Sequence, residues 1–136
     1  MIMRAFIGIA LPQAVREALA ALQQELAKAG ADVKWVEPHN LHLTLKFLGE
    51  ISKEQRQALE QMLKTVAQHH AACSLSLGAL GAFPTFKAPR VIWVDVVEGR
   101  ESVERLAQAI EQASQTVGLV GEARPFAAHI TLGRVR

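Results

Sequence analysis

A tetrapeptide of the form His-apolar-Thr-Leu occurs twice in this chain of 136 residues, at positions 42–45 and 129–132. In a β-strand, successive side chains point to opposite faces, so the His and Thr of each copy share one face and the two apolar residues share the other. Each copy therefore predicts a strand that is buried on one face and presents an imidazole and a hydroxyl on the other. Two such strands would supply the groups needed for metal-free acid–base chemistry on a phosphate.

The repetition extends beyond the tetrapeptide. When His42 is aligned with His129, residues 4–49 lie opposite residues 91–136, with strand-like and helix-like segments matched and Pro38 opposite Pro125. Long-range self-similarity of this kind is typical of a duplicated supersecondary unit. Residues 1–136 are therefore predicted to form a single domain whose two related lobes are interleaved.

Composition is that of an ordinary globular protein, with 50% hydrophobic and 21% charged residues. The net charge of +2 and the pI near 9.0 are compatible with a polyanionic substrate, but they are far from the charge runs of a nonspecific nucleic-acid binder. Cys73 is the single cysteine, and no Cys/His zinc pattern surrounds it. No apolar run is long enough to span a membrane, and we predict a cytoplasmic, monomeric protein.

Hydrophobic periodicity and turn residues predict the element order β-α-β-β-α-β-β-α-β. The strands are predicted at residues 3–10, 33–36, 41–48, 73–80, 90–97 and 128–135, and the helices at 13–29, 53–69 and 100–117. Residues 81–89, which are rich in Gly and Pro, are predicted as a loop and as the hinge between the lobes. The predicted fold class is α+β, with helices packed on one side of mostly antiparallel sheets.

The repeat also predicts further elements after the second motif. A helix and a strand are predicted after His42, whereas the sequence ends at Arg136, shortly after His129. We therefore expect a counterpart C-terminal helix and strand to be missing.

The two motifs, H-L-T-L-K-F-L-G from His42 and H-I-T-L-G-R from His129, resemble those of the two-histidine (2H) phosphoesterases. Within that superfamily the chain is similar to the LigT-like RNA 2′,3′-cyclic phosphodiesterases, also called RNA 2′-5′ ligases. R-A-F-I from Arg4, W-V from Trp35 and P-R-V-I-W around Arg90 extend the resemblance along the whole chain. It implies a duplicated bilobal fold in which mostly antiparallel sheets line a central groove, with helices outside. Family members usually continue past the second motif.

The resemblance also implies an activity. Its substrate would be RNA with a 2′,3′-cyclic phosphate end, tRNA fragments among the candidates, and its product a 2′-phosphomonoester; some members join RNA ends in the reverse sense. No metal or organic cofactor is implied. We assign His129 as the base that activates water and His42 as the acid that protonates the 3′-oxygen. The hydroxyls of Thr44 and Thr131 would donate to the nonbridging phosphate oxygens.

Three further residues are candidates for substrate binding. A guanidinium fork suits phosphate, but Arg134 has odd spacing from His129 and would reach the catalytic face only if a bulge at Gly133 re-aimed it. Lys46 is two residues beyond Thr44, so strand alternation places it on the catalytic face as a phosphate contact. Phe47 could stack on a base.

These candidates also have structural interpretations. Arg134 and Lys46 could be solvated strand charges, and Phe47 could belong to the core, which we also favour for Phe83 and Trp93 over ligand stacking. His39 and His42 have a spacing that suggests a metal site, but no carboxylate or Cys partner is evident in the sequence.

Two alternative functions are compatible with the same residues. One is a phosphoesterase that acts on small cyclic nucleotides, with the same chemistry. The other is a catalytically weak RNA-binding module, an interpretation that the early end of the sequence favours and the intact histidines and threonines oppose.

Overall fold

The computed structural model describes residues 2–85, 87–122 and 125–136. The elements, in chain order, are β1 (Ile2–Ala10), α1 (Gln13–Ala27), β2 (Val33–Trp35), β3 (His42–Ser52), α2 (Lys53–Gln68), β4 (Leu77–Phe83), β5 (Val91–Val96), α3 (Arg100–Thr116) and β6 (His129–Val135). A 3-10 turn at Pro38–Asn40 leads into β3. The predicted α+β class and the order of helices and strands are confirmed.

Two details of the prediction are wrong. The first motif strand does not close at Gly49: β3 continues to Ser52, and Gly49 adopts φ +70° within it. β4 begins at Leu77 rather than at residue 73 and runs through Gly81–Phe83, which pair with β5. The segment predicted as a hinge is therefore the end of β4 and its turn into β5, with residue 86 outside the described residues.

The chain divides into two compact units, and each takes segments from both halves of the sequence repeat. The first unit contains the chain up to Gly8, Thr44–Leu75 and Glu98–Ala128, and so holds α2 and α3. The second unit contains Ile9–Leu43, Ser76–Val97 and His129–Arg136. β1 and β3 form a two-stranded sheet, whereas β2, β4, β5 and β6 form a four-stranded sheet.

Helix α2 of the first unit begins where its sequence predicts. Ser52 is the N-cap, and its hydroxyl accepts a hydrogen bond from the Gln55 backbone N–H at 3.1 Å. The Gln55 side chain in turn accepts from the Ser52 backbone N–H at 2.9 Å, which completes a capping box. The two helices of this unit bury apolar residues at helical spacing, namely Leu59 and Val66 on α2 and Val103, Ala107 and Ile110 on α3.

The four-stranded sheet of the second unit has the order β2-β6-β5-β4, and all neighbouring strands are antiparallel. Residues that pair directly across strands share a face. One face, which we call the buried face, carries the apolar residues Val94, Val96, Ile130 and Leu132, each at most 2% exposed. The buried face is the core of this unit.

The two motif strands have the same burial pattern. In both 42–48 and 129–135, the residues are in turn half-buried, buried, half-buried, buried, buried, exposed and half-buried. The His and Thr of each motif occupy the half-buried positions, and the apolar residues between them are buried. The predicted one-sided burial of both strands is confirmed.

Strand β6 contains a β-bulge. Thr131 pairs with Trp93 of β5, but the next pair is Gly133 with Ile92, so Leu132 is an extra residue on β6. A bulge disrupts the ladder of hydrogen bonds and increases the local twist. Here it also shifts the alternation of side chains by one residue.

A buried glutamine of α1 supports the bulge. Gln23 is 5% exposed, and its amide nitrogen donates to the carbonyls of Leu132 and Val36, both at 2.9 Å. The Leu132 carbonyl also accepts from the Val36 backbone N–H at 2.9 Å. Both amide hydrogens of Gln23 are thereby used, and the helix is tied to the strand at the extra residue.

None of the helices in the described ranges combines the length and the apolar character that crossing a membrane requires.

We expect Gln23→Met to destabilise the protein by about 2 kcal/mol, because a side chain of similar size would fill the space without donating to the two carbonyls. Urea unfolding at pH 7 measures the change. Gln24→Met is the matched control, since Gln24 is the exposed neighbour on the same helix and its loss should change stability by less than about 0.5 kcal/mol. Equal effects of the two substitutions would contradict the role given to Gln23.

Candidate active site

The second motif lies on the face of the four-stranded sheet opposite the buried face. His129 begins β6 and pairs with Asp95, and Thr131 pairs with Trp93. These four residues share this face, which we call the histidine face. An imidazole and a hydroxyl are thus held two residues apart on a strand whose other side is packed in the core.

The bulge at Leu132 places Arg134 on the same face. Arg134 pairs with Val91, which shares a face with Trp93 because β5 has no extra residue between them. The sequence predicts that Arg134 reaches the face of His129 only if β6 has a bulge at Gly133. The bulge is present one residue earlier, at Leu132, and the exposed guanidinium side chain lies on the histidine face.

Two aromatic rings surround the His129 imidazole. The Phe83 ring meets it edge-on, with centroids 5.3 Å apart and an interplanar angle of 89°, and the Trp93 ring lies 6.0 Å away. Gly81 permits this arrangement, because a Cβ at that position would come within 2.2 Å of the Trp93 indole. Aromatic neighbours at these distances restrict the orientation of the imidazole.

The sequence pattern favours a core role for Phe83 and Trp93 over ligand stacking and does not connect them with His129. Their link to the histidine comes from strand pairing that no local pattern reveals. The Trp93 Nε1–H is buried and has no hydrogen-bond partner within the part of the chain that the structure describes. Buried donors without a partner are rare in native structures.

The first motif histidine has a defined tautomer. His42 is the first residue of β3, and its Nδ1 lies 2.6 Å from the backbone carbonyl oxygen of Asn40. A carbonyl can only accept, so Nδ1 carries the hydrogen and Nε2 bears the lone pair of the neutral ring. The 3-10 turn that precedes β3 therefore sets which nitrogen of His42 can exchange a proton with a substrate.

The predicted residues are distributed over both units. His42, His129, Thr131 and Arg134 belong to the second unit, and the last three of these share the histidine face. Thr44, Lys46 and Phe47 belong to the first unit. Thr44 is half-buried on β3, as its place in the motif predicts.

Lys46 has a different partner from the one predicted. Its side chain is only 4% exposed, and its ammonium donates to Glu111 Oε2 at 2.5 Å and to the Val120 carbonyl at 3.3 Å. Strand alternation alone placed this cation on the catalytic face, but the burial pattern of β3 has two buried residues in succession at Leu45 and Lys46. A lysine neutralised in a buried ion pair is not a contact for phosphate, and the expectation is corrected.

Besides the Lys46 ammonium, the Glu111 carboxylate accepts two further hydrogen bonds. Its Oε1 accepts from the Glu122 backbone N–H at 2.6 Å and from the Gln115 side chain at 3.3 Å. Burial raises the pKa of Glu111, but the hydrogen bonds from Lys46 and Glu122 and the charge of Lys46 outweigh this effect, and the pKa lies below its usual value of 4.5. Glu111 is therefore a carboxylate at neutral pH, and it joins the end of the loop after α3 to β3.

Phe47 is exposed and available for a ligand. Its side chain is 64% exposed, and its ring lies 6.4 Å from that of Phe6. It also lines a cleft of about 360 Å³ between residues 47–50 of β3 and residues 118–122 after α3. This cleft lies in the first unit and is lined by neither motif histidine.

No group of three His, Cys, Asp or Glu side chains that could hold a metal ion occurs within residues 2–85, 87–122 and 125–136. The pair His39 and His42, in particular, has no third ligand among those residues.

Solved structures share this fold. The chain superposes on TT0787 of Thermus thermophilus with a TM-score of 0.88 and 32% identity, over 98% of this chain and 74% of that one. It superposes on Escherichia coli LigT complexed with 3′-AMP with a TM-score of 0.82 and 29% identity, over 98% and 74% of the two chains. The α+β fold with two His-x-Thr strands is that of the two-histidine phosphoesterases, as the motifs predicted.

Sequence comparison gives the family. Residues 9–93 match the model of the LigT like phosphoesterases. A protein of Archaeoglobus fulgidus named RNA 2′,3′-cyclic phosphodiesterase is 36% identical over 134 residues, which are 98% of this chain and 73% of that protein. A protein of the same name from Aquifex aeolicus is 29% identical over 99% of this chain and 72% of its own length. The chain belongs to the LigT-like phosphoesterase family.

We expect Lys46→Met to destabilise the protein by about 3 kcal/mol at pH 7, because it leaves the half-buried Glu111 carboxylate without its cation. Glu111→Gln should be destabilising as well, and its effect should depend on pH. Because the pKa of Glu111 is lowered in the folded state, its contribution is complete above about pH 4.5 and is lost as the pH falls through the folded-state value.

The free-energy difference between the natural protein and Glu111→Gln should therefore be constant between about pH 6 and pH 8 and shrink below about pH 4.5. Urea unfolding over this pH range measures it. Glu60→Gln is the matched control, since it breaks an exposed Arg56–Glu60 pair and should change stability by less than about 0.5 kcal/mol. A difference that does not vary with pH would contradict the assignment to the Glu111 carboxylate.

Proposed function

We propose that this protein hydrolyses 2′,3′-cyclic phosphate ends of RNA to 2′-phosphomonoesters by acid–base catalysis with His42 and His129. The observation that carries the proposal is the shared placement of His129, Thr131 and Arg134 on one face of the second unit's sheet. This face offers a proton-transfer group, a hydroxyl donor and a guanidinium within one short strand. Relatives that match nearly the whole chain are named RNA 2′,3′-cyclic phosphodiesterase, which supports RNA as the substrate class.

The reaction requires two proton transfers. A water oxygen attacks phosphorus while His129 takes its proton, and the bond between phosphorus and the 3′-oxygen breaks while His42 gives a proton to that oxygen. The phosphate remains on the 2′-oxygen, and the 3′-oxygen becomes a hydroxyl. Each positioned acid or base typically contributes a factor of about 10²–10⁴ to the rate.

The tautomer of His42 supports its role as the acid. With Nδ1 donating to the Asn40 carbonyl, the protonated ring gives up its proton through Nε2 and returns to a neutral tautomer that this hydrogen bond favours. For His129, the Phe83 and Trp93 rings restrict the orientation of the imidazole that accepts a proton from water. In the ligating direction, the two histidines would exchange roles.

The threonines and Arg134 act on the charge of the phosphate. The hydroxyls of Thr44 and Thr131 donate to the nonbridging oxygens, where negative charge develops in the transition state. The Arg134 guanidinium adds a planar fork of donors that matches phosphate geometry. Phe47 is the candidate for stacking on a base next to the cleaved end.

Two finer points stay predictions from the sequence: the choice of RNA ends, tRNA fragments among them, and the cytoplasmic, monomeric state. No contact among the described residues favours a pure RNA-binding module, and a phosphoesterase of small cyclic nucleotides would use the same residues. A comparison of rates on a cyclic mononucleotide and on RNA separates that alternative from the proposal.

We expect His42→Ala and His129→Ala each to lower kcat by a factor of at least about 10², because each removes a proton-transfer group. The assay uses RNA with a 2′,3′-cyclic phosphate end, in the presence of EDTA, with identification of the product. His69→Ala is the control, since His69 is exposed at the end of α2, where its Nδ1 lies 2.8 Å from the Thr65 carbonyl oxygen, and its loss should leave kcat unchanged.

A product with a 3′-phosphate would contradict the assignment of the 3′-oxygen as the leaving group. Full activity of either motif variant would contradict the two-histidine mechanism.

A further inference from the structure

The cleft of the first unit borders the second half of β3. Its volume of about 360 Å³ lies within the range of about 300–1,000 Å³ that is typical of small-molecule sites. Residues 47–50 form one wall, and residues 118–122 after α3 form the other. The proposed proton transfers use none of the residues that line it, so the mechanism leaves this cleft without a role.

A buried ion pair joins the two walls of the cleft. Lys46 lines the cleft, and its side chain, only 4% exposed, donates to the Glu111 carboxylate and to the Val120 carbonyl at 3.3 Å. The same carboxylate accepts from the Glu122 backbone N–H at 2.6 Å. Because these bonds tie the loop after α3 to β3, the cleft can receive a ligand without first ordering that wall.

The charges that line the cleft indicate the kind of ligand. Its ionised side chains are Lys46, Glu50 and Glu122, and Glu111 balances the charge of Lys46. The exposed Glu50 carboxylate forms neither a hydrogen bond nor an ion pair within the part of the chain that the structure describes. An ionised carboxylate only accepts hydrogen bonds. The cleft therefore repels a phosphate and favours a neutral group with N–H donors.

Phe47 connects the cleft with the face of β3 that carries Thr44. Leu45 and Lys46 are both buried, so the alternation of side chains shifts by one residue, and the exposed Phe47 ring returns to the side of Thr44. The equivalent residues of β6, which pair with positions two apart on β5, lie about 7 Å apart along the strand. A nucleotide spans such a distance between its phosphate and its base.

We propose that the cleft binds the base of the nucleotide that carries the cyclic phosphate, and that Glu50 selects guanine there. This inference rests on the proposed function and names the base that the site prefers. Single-stranded bases are commonly stacked on an aromatic ring and read through hydrogen bonds at their edges. Guanine has two adjacent N–H donors, N1–H and N2–H, which match the two oxygens of a carboxylate. In the other three bases, an acceptor lies next to the N–H donor and opposes the second oxygen.

The test uses four short RNAs that differ only in the base of the terminal 2′,3′-cyclic nucleotide. For the natural protein, kcat/KM should be about tenfold higher with guanine than with any other base, because hydrogen bonds to an ionised group are the stronger class. Glu50→Gln keeps the size of the side chain but leaves one acceptor oxygen. It should reduce the preference to about twofold, mainly through KM.

Two further variants separate reading of the base edge from general effects. Glu54→Gln removes an exposed carboxylate from the first turn of α2, outside the cleft, and should leave the base preference unchanged. Phe47→Leu should lower kcat/KM for all four RNAs by a similar factor of about ten, because stacking accepts every base.

Three results would overturn the proposal. The first is equal kcat/KM for the four RNAs. The second is a guanine preference that Glu50→Gln leaves intact, and the third is an equal loss on all four RNAs in Glu50→Gln.

Failure of the proposed function is distinguishable from failure of this inference. If the natural protein turned over none of the RNAs, isothermal titration calorimetry with 2′-GMP and 2′-CMP would still test the cleft. Binding of 2′-GMP that is about tenfold tighter than that of 2′-CMP, with the difference lost in Glu50→Gln and kept in Glu54→Gln, would support the proposal. Equal affinities for the two nucleotides, or no binding of either, would overturn it.

Discussion

The burial of Ile130 and Leu132 on one face of β6 determines the direction of every residue with a proposed role in the second motif. Both residues are at most 1% exposed, so the two faces of this strand cannot be exchanged without removing Ile130 and Leu132 from the core. A slip of one residue would exchange the faces and turn His129 and Thr131 into the interior. The apolar residues of the motif are therefore as necessary to the site as the histidine and threonine between them.

The bulge at Leu132 brings a further residue with a proposed role, Arg134, onto the histidine face of β6. If β6 alternated regularly from His129 to Arg134, with no bulge at Leu132, Arg134 would lie on the buried face. Gln23 of α1 compensates for the disrupted ladder by donating to the Leu132 carbonyl. A buried glutamine on a helix is thus connected with the direction of an arginine on the far side of the sheet, through the backbone rather than through side-chain contact.

The two copies of the motif share a backbone pattern and differ in the residues immediately after it. At the second of the two consecutive buried positions, β6 has Gly133, where any Cβ would lie 2.7 Å from Val33 and 2.9 Å from Trp35. At the equivalent position, β3 has Lys46, whose charge is balanced by Glu111. The next residue is exposed in both strands, as Arg134 in one and Phe47 in the other. The duplicated scaffold therefore presents a cation from one strand and an aromatic ring from the other.

The sequence by itself determined the order of the elements, the duplication, the one-sided burial of both motif strands and the family, because these depend on local periodicity and on short motifs. Tertiary structure decided the rest. Strand pairing put Phe83 and Trp93 around His129, and helix packing gave Lys46 its partner Glu111. Strand partners and helix contacts join residues that are distant in the chain, and no local pattern encodes which side chains meet. The direction of Arg134 shows the boundary most clearly, since the motif predicted its chemistry and only the bulge decided its face.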